Sequence, residues 1–225
     1  MYWPGAWKRA ARVRRALADY PLFSPPHLQN SAFLDFQSAK ENERYFFDHR
    51  TERMQALSQF MRTFGVEMAV DGPGLTAASA WIAGHAGLLV PNLNSRGVRQ
   101  AFYRFARPWT GRRRGLNAVF DLGLFFGECI IAKNPKCYWR GFVGAAPGQP
   151  PRPVCDVGWT GIGIQGSRRK PFFDPFQLME NMCANLQSMH KVSLLTRDPA
   201  ENDPGYVSRL VEIYGDTKRY PGRPL

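Results

Sequence analysis

The chain has 225 residues and carries 30 lysines and arginines against 18 aspartates and glutamates, a formal net charge of +12 at pH 7. With 44% hydrophobic and 13% aromatic residues, the composition excludes an intrinsically disordered chain and predicts a sizeable buried core. We expect a basic N-terminal segment at 1–20, one domain at 21–215 and a loose tail at 216–225.

The N-terminal segment is predicted to form a short basic helix. Pro4 suits its first turn, and the helical pattern continues to about Ala18. Trp3, Trp7 and Leu17 are expected to line the side that docks on the domain. Binding of this helix to a membrane surface or to nucleic acid is the alternative interpretation.

Hydrophobic residues at helical spacing predict six further helices. They are expected at about 31–64, 75–87, 96–107, 116–132, 175–189 and 207–214. The first of these is either one long helix or two helices joined by a turn at 40–44. Asp174 is expected to cap the fifth helix, and Gly215 is expected to end the last.

The most apolar long segment is 116–132, with the sequence LNAVFDLGLFFGECIIA. Apolar residues on nearly all sides are typical of a buried core helix. Its length of about 25 Å is short of the ~30 Å core of a membrane, and two acids near its middle oppose insertion. We therefore expect the central helix of the domain, and no transmembrane segment. Gly123 and Gly127 are expected to let another backbone come close.

Three polar residues of this helix, Asn117, Asp121 and Glu128, fall on one narrow stripe. A buried carboxylate without a partner is costly or becomes protonated, so these acids require arginine partners. Asp121 and Glu128 are weak candidates for a catalytic acid and base with raised pKa values. The favoured interpretation is a structural network of ion pairs.

After Pro135 the pattern changes from helical to extended. Residues 137–143 and 154–165 predict an antiparallel hairpin with a long connection. The predicted fold class is therefore α+β. We expect a mainly helical single domain whose small antiparallel sheet, at about 137–165, packs on the central helix 116–132.

No sequence motif predicts catalysis or a cofactor. The run from Gly161 to Gly166 satisfies G-x-G-x-x-G, but it lies in a predicted strand and no apolar helix follows it, so nucleotide binding is not predicted. The histidines are scattered and no two cysteines have C-x-x-C spacing, so no metal site is predicted. His85 is expected to be a hydrogen-bonded core residue. The four cysteines are expected to be free thiols in a reducing cytoplasm.

Positive charge is concentrated in the middle of the chain. Residues 72–170 contain 14 basic and 3 acidic side chains, and residues 72–120 contain seven arginines and no acid. This charge predicts an anionic partner, unless several of the arginines neutralise Asp121 and Glu128 or cap helices. Arginines interleaved with aromatic residues suit both nucleic-acid contact and a protein–protein hot spot. The candidate binding residues are Arg99, Tyr103, Arg104, Arg107, Trp109, Arg112, Arg113, Arg114, Arg168, Arg169 and Lys170.

A short series of motifs occupies about 110–190. It consists of Asp121-x-Gly123-x-x-x-Gly127-Glu128 on a helix, a strand with Trp139, a second strand, and a helix led by Asp174-Pro175. This order resembles small bacterial domains of unknown function, some of which are thought to be partner-binding or immunity-like proteins. The resemblance implies a bacterial, cytoplasmic setting.

Three functions remain open from the sequence. The first is a non-enzymatic bacterial binding protein that engages an acidic protein partner through the basic, aromatic face at about 96–114 and 168–170. The second is a nucleic-acid-associated protein that uses the same face. The third is an enzyme in which Asp121 and Glu128 act as acid and base. No cofactor is predicted for any of them.

Overall fold

We describe the fold from a computed structural model, which describes residues 4–28, 34–104, 108–141, 160–164, 174–196 and 203–216. The elements in this part of the chain are α1 Pro4–Ala16, α2 Phe36–Arg62, α3 Gly72–His85, α4 Arg96–Tyr103, α5 Gly115–Lys133, β1 Cys137–Gly141, β2 Thr160–Ile164, α6 Pro175–Thr196 and α7 Tyr206–Tyr214. Two short 3₁₀ turns, Ala86–Leu88 and Gly111–Arg113, follow α3 and precede α5. The predicted mainly helical fold is confirmed.

The predicted central helix is α5, and it lies in the middle of the hydrophobic core. Every residue from Gly115 to Gly127 is buried, and α2, α6 and α7 all pack against the helix. The backbone of α6 comes close at Gly123, where an added Cβ atom would lie 2.8 Å from the Cα atom of Phe176. Any larger residue would push α6 away, so the predicted close approach is confirmed at Gly123.

By length and composition alone, the helical stretch from Gly111 to Lys133 could cross a membrane. Inside the protein, however, 83% of its most apolar window is buried. The core helix of a folded domain has the same composition and the same burial. Within the described residues it is the one helix that meets the length and composition test.

The segments β1 and β2 pair in antiparallel register. Cys137 lies opposite Ile164, and Gly141 lies opposite Thr160. Residues 142–159 and 165–173, which include the predicted connection and the ends of both predicted strands, lie outside the described residues. The pairing is anchored by Trp139 of β1, which is buried among aromatic rings of α2 and α6.

The predicted helices differ from the observed ones in their ends and, for α1, in the buried face. The segment predicted as one helix or two is a single helix, α2, and α6 continues seven residues beyond its predicted end at Met189. The prediction that Trp7 docks on the domain is wrong, because 66% of Trp7 is exposed while Val13 and Leu17 are buried. At about 100° per residue, Trp7 lies about 120° around the helix from Val13.

Candidate functional site

A buried ion pair joins α2 to the middle of α5. The Nε and Nη2 atoms of Arg53 donate to the two carboxylate oxygens of Asp121 at 2.9 and 2.5 Å. The hydroxyl of Tyr20 donates to the same carboxylate at 2.6 Å, and Nη1 of Arg53 donates to the carbonyl of Pro21 at 3.0 Å. Asp121 has no exposed surface, and Arg53 is 4% exposed. Both oxygens of the acid therefore have fixed donors and no contact with water.

Burial changes the pKa values of Asp121 and Tyr20, and it also keeps a substrate away from them. Burial raises the pKa of Asp121, while the charge and hydrogen bonds of Arg53 oppose that rise. Burial also raises the pKa of the Tyr20 hydroxyl, and the charge of Asp121 adds to the effect. A general acid or base must come within hydrogen-bond distance of a substrate, and here protein groups fill that space. The geometry therefore favours a structural role for Asp121.

The second acid of the stripe, Glu128, has a separate set of partners. Its carboxylate accepts a hydrogen bond from the indole N–H of Trp139 at 2.9 Å and lies 3.2 Å from Nε of Arg50. Seven residues separate Glu128 from Asp121, which places them two helical turns, about 10 Å, apart. The two acids therefore do not form a carboxylate pair around one substrate.

The arginines that neutralise the acids come from α2, three residues apart in sequence. The alternative in which arginines of the acid-free stretch 72–120 pair with Asp121 and Glu128 is wrong, because Arg53 and Arg50 take those places. The remaining polar residue of the stripe, Asn117, bonds to backbone. Its Oδ1 accepts from the N–H of Phe23 at 2.9 Å, which fixes the chain after α1 against α5.

Two predicted binding residues, Arg99 and Tyr103, are part of a polar network between α4 and α6. Nε of Arg99 lies 3.3 Å from the carboxylate of Glu180, and the hydroxyl of Tyr103 donates to that carboxylate. Asn181 accepts from Arg99 at 2.6 Å and from Tyr103 at 3.0 Å. Arg99 and Tyr103 thus bind α6, and neither is a freely available contact.

The carboxylate of Glu180 is the functional group that the sequence analysis missed. Its side chain has no exposed surface, and burial raises its pKa, against the hydrogen bond from Tyr103 and the charge of Arg99. Burial and the bond to Glu180 raise the pKa of Tyr103 to about 12. Arg99 and Tyr103 are four residues apart and lie on the same face of α4. This spacing was the one sequence signal that the two side chains share a partner, which is Glu180.

The predicted contact residue Trp109 lies in the core. It has no exposed surface, its ring stacks on Phe102 with centroids 5.4 Å apart, and its indole N–H donates to the carbonyl of Ala101 at 3.2 Å. The prediction that Trp109 contacts a partner is therefore wrong for this fold. The predicted contacts Arg107, Arg168, Arg169 and Lys170 lie outside the described residues.

Arg104, another predicted contact, is exposed at the end of α4. The predicted contacts Arg112, Arg113 and Arg114 join a second basic segment that is distant in sequence. Arg114 donates to the carbonyl of Ala18, just after α1. This bond brings the 3₁₀ turn Gly111–Arg113 close to the C-terminal end of α1, whose last turn carries Arg14 and Arg15; one exposed acid, Asp19, follows Ala18. We call the resulting patch the basic surface; it consists of Arg14, Arg15, Arg112, Arg113 and Arg114.

The basic surface presents charge to solvent. Arg14, Arg15, Arg112 and Arg113 are exposed, and none of them forms an ion pair with another described residue. Trp7, two turns before Arg14, lies within about 20° of it around α1 and is also exposed. Within the described residues, the patch therefore combines guanidinium groups that form no ion pair with an accessible indole. No sequence spacing could have predicted it, because the contact between Arg114 and Ala18 spans 96 residues.

The described residues offer two further kinds of site to test. No group of three or more His, Cys, Asp or Glu side chains in this part of the chain is arranged to hold a metal ion. A half-open groove of about 310 Å³ lies between α3, α6 and α7, with mainly apolar residues such as Ile82, Leu178 and Met182 around it. The groove carries no charged cluster and is separate from the basic surface.

Comparisons with protein-family models, with curated proteins and with solved structures found no match to this chain.

Proposed function

We propose that this chain is a non-enzymatic binding protein that engages an acidic protein partner through the basic surface. The observation that carries the proposal is the convergence of two arginine-rich segments, α1 and the turn before α5, into one exposed patch without ion pairs among the described residues. Unpaired like charges repel one another and weaken the fold, so a patch of this kind gains most when an anionic partner covers it.

An acidic protein suits this patch because of its chemistry. Guanidinium groups bind carboxylates through two parallel hydrogen bonds, which gives orientation as well as attraction. Tryptophan and arginine are the residues most enriched in protein–protein hot spots, and Trp7 stands exposed on the Arg14 side of α1. This support differs from the sequence-based face at about 96–114, since Trp109, Arg99 and Tyr103 serve the fold.

Nucleic acid is the second candidate partner. The same guanidinium groups would bind phosphates, and the indole of Trp7 would stack on an unpaired base. Each phosphate contact releases counterions, so nucleic-acid affinity would fall steeply as salt is raised. A catalytic role for Asp121 and Glu128 comes third, because each carboxylate already has its own arginine.

The cellular setting is also a proposal. We infer a bacterial cytoplasm, in line with the resemblance to small bacterial domains, and Cys129, Cys137 and Cys183 are buried free thiols, as a reducing compartment allows. We further infer that β1 and β2 belong to a small antiparallel sheet that rests on the helical core. Hydrogen exchange tests this sheet: the backbone amide of Trp139, the residue whose indole bonds to Glu128, should exchange slowly.

The decisive experiment is a pull-down from bacterial extract with the wild-type chain and the Arg112→Gln/Arg113→Gln variant, with and without nuclease. An acidic protein that the wild type captures after nuclease treatment, and the variant does not, would support the proposal. A matched control variant, Arg44→Gln/Lys136→Gln, removes two exposed charges elsewhere and should behave like wild type. Capture that disappears with nuclease would favour nucleic acid. If Arg112→Gln/Arg113→Gln captured the partner as well as the wild type does, the basic surface would be excluded as the binding site.

A further inference from the structure

The C-terminal end of α3 and the 3₁₀ turn after it lie against α6, close to α1. His85 is the last residue of α3, and its ring stacks on Trp81 with centroids 5.2 Å apart and an interplanar angle of 7°. Its Nδ1 lies 3.1 Å from the carbonyl of Trp81, so Nδ1 carries the hydrogen and Nε2 is left for another partner. Phe64 closes one side, 5.6 Å from the imidazole.

Two arginines of α1 reach this place. The guanidinium of Arg12 lies 4.9 Å from the centre of the Phe64 ring, and its Nη2 donates to the carbonyl of Thr63 at 2.5 Å. Arg9 precedes Arg12 by nearly one turn, on the same flank of α1. In the part of the chain that the structure describes, neither arginine forms an ion pair.

His190 of α6 completes the group. The backbone of the 3₁₀ turn Ala86–Leu88 touches α6: a Cβ atom on Gly87 would lie 2.6 Å from the amide nitrogen of Gln187. Nε2 of Gln187 also donates to the carbonyl of Gly87 at 3.0 Å. His190 lies nearly one helical turn after Gln187, and His85 lies two residues before Gly87. Both histidines are therefore near the contact between Gly87 and Gln187. The Nε2 atom of His190 is buried and has no hydrogen-bond partner among the described residues.

Among the described residues, no acid forms an ion pair with Arg9, Arg12, His85 or His190. Burial lowers the pKa of His85, and the charges of Arg9 and Arg12 add to the effect, while the bond to the Trp81 carbonyl opposes it. Burial, Arg9 and His85 lower the pKa of His190. Glu67, an acid on the segment that follows α2, lies 3.1 Å from Arg62 and is paired with it.

We name this group the arginine–histidine junction; it consists of Arg9, Arg12, His85 and His190. We propose that the arginine–histidine junction is a binding site for the dianion of a phosphate monoester. Two guanidinium groups match its double charge, and each imidazole, once protonated, would donate an N–H to one of its remaining oxygens. The inference does not rest on the acidic partner proposed above, because Arg9 and Arg12 lie about 140° or more around α1 from Arg14.

Histidine ring signals in NMR give a direct test. The protein is titrated with acid in sodium phosphate and in sodium chloride of equal ionic strength. A bound dianion favours the protonated imidazole, so the pKa values of His85 and His190 should be higher in phosphate than in chloride. His27, which pairs with Glu41, and His49, which stacks on Tyr45, serve as internal controls, because their ring signals should be insensitive to the change of salt at a fixed pH.

Variants separate the junction from general charge effects. Arg9→Gln/Arg12→Gln should weaken phosphate binding at least about tenfold, since each charge-assisted hydrogen bond contributes strongly to anion affinity. Arg14→Gln/Arg15→Gln removes the same charge from the same helix and should leave phosphate binding unchanged. Thermal unfolding of both variants verifies that they fold. The proposal would be overturned if Arg14→Gln/Arg15→Gln lost phosphate binding while Arg9→Gln/Arg12→Gln kept it.

Two sources of the monoester remain to be told apart. Glycerol phosphate in solution and phosphatidylcholine vesicles that contain phosphatidic acid present the same group. A response of His85 and His190 to the soluble ester supports a free metabolite, whereas a response to the vesicles alone supports a lipid headgroup. If neither probe nor inorganic phosphate moves these two signals relative to chloride, the proposal is wrong.

Discussion

Arginine occupies two opposite environments in this protein. Arg53 is 4% exposed, and its three guanidinium nitrogens bond to Asp121 and to the carbonyl of Pro21. Arg112 and Arg113 are exposed and form no ion pair with any described residue. The first arginine serves the fold, and the other two leave their charge available to a partner.

The difference shows that the count of arginines near an acid in sequence does not identify its partner. Arg112 and Arg113 stand just before the helix that carries Asp121, yet the carboxylate binds an arginine 68 residues earlier in the chain. A buried charge must be paired because water cannot solvate it, whereas an exposed charge is already solvated. Burial, which sequence proximity does not report, therefore separates structural from available arginines.

The largest expected effect is on the buried side of this comparison. Arg53→Ala leaves the carboxylate of Asp121 buried and unpaired, and should reduce the free energy of unfolding by about 3–5 kcal/mol, measured by urea denaturation at neutral pH. The double variant Arg53→Met/Asp121→Leu removes both charges and should recover much of that loss. A loss below about 1 kcal/mol in the single variant would mean that the pair does not hold the core.

A smaller loss is expected where only a neutral donor is removed. Tyr103→Phe takes away the hydroxyl that donates to the buried carboxylate of Glu180, and should reduce the free energy of unfolding by about 1–3 kcal/mol. Tyr138→Phe is the matched control, because Tyr138 is 41% exposed, and it should leave the unfolding midpoint unchanged. Equal midpoints for both variants would contradict a stabilising role for the network between α4 and α6.

The ion pair of Arg50 and Glu128 lies between the two environments. Their side chains are 36% and 24% exposed, so solvent screens the pair, and Arg50→Ala should cost no more than about 1 kcal/mol of stability. Urea denaturation at low and high salt should give a smaller cost at high salt. A loss as large as that of Arg53→Ala would show that partial exposure does not weaken the pair.

The smallest effect on stability is expected on the basic surface. Arg112→Gln/Arg113→Gln should leave the thermal unfolding midpoint unchanged or raise it slightly, because solvated side chains contribute little to folding and the loss of two like charges relieves repulsion. The same variant should lose the partner in the pull-down. A lower unfolding midpoint would place these arginines with Arg53 as structural residues and would remove the comparison on which the proposed function rests.

Much of the local structure was predictable from the sequence. The predicted helix 116–132 corresponds to α5, since seventeen residues without proline and with apolar side chains on nearly all sides require a buried helix. Asp174 caps α6 as predicted, with its Oδ1 accepting from the backbone N–H groups of Phe176 and Gln177 at 2.9 Å. Caps and periodicity act within a few residues, so sequence contains them in full.

The candidate site was less predictable. Trp109 and Trp7 have reversed roles: the first lies in the core and the second in solvent. Both tryptophans lie among arginines and aromatic residues, and such a sequence is compatible with a buried or an exposed position. The neighbouring residues therefore do not predict whether the tryptophan is buried. Glu180 was likewise hidden among the apolar residues of α6, and only its contact with Tyr103 of α4 shows its function in the fold.

By itself, the sequence determined the helices, the central place of α5 and the excess of positive charge, because propensity, periodicity and composition are local or additive properties. The tertiary structure alone decided which charges are consumed and which remain. It paired Arg53 with Asp121 across 68 residues and set Arg114 against Ala18 across 96. Contacts over such separations depend on how helices pack, and the energy of a charge depends on whether packing leaves it in water.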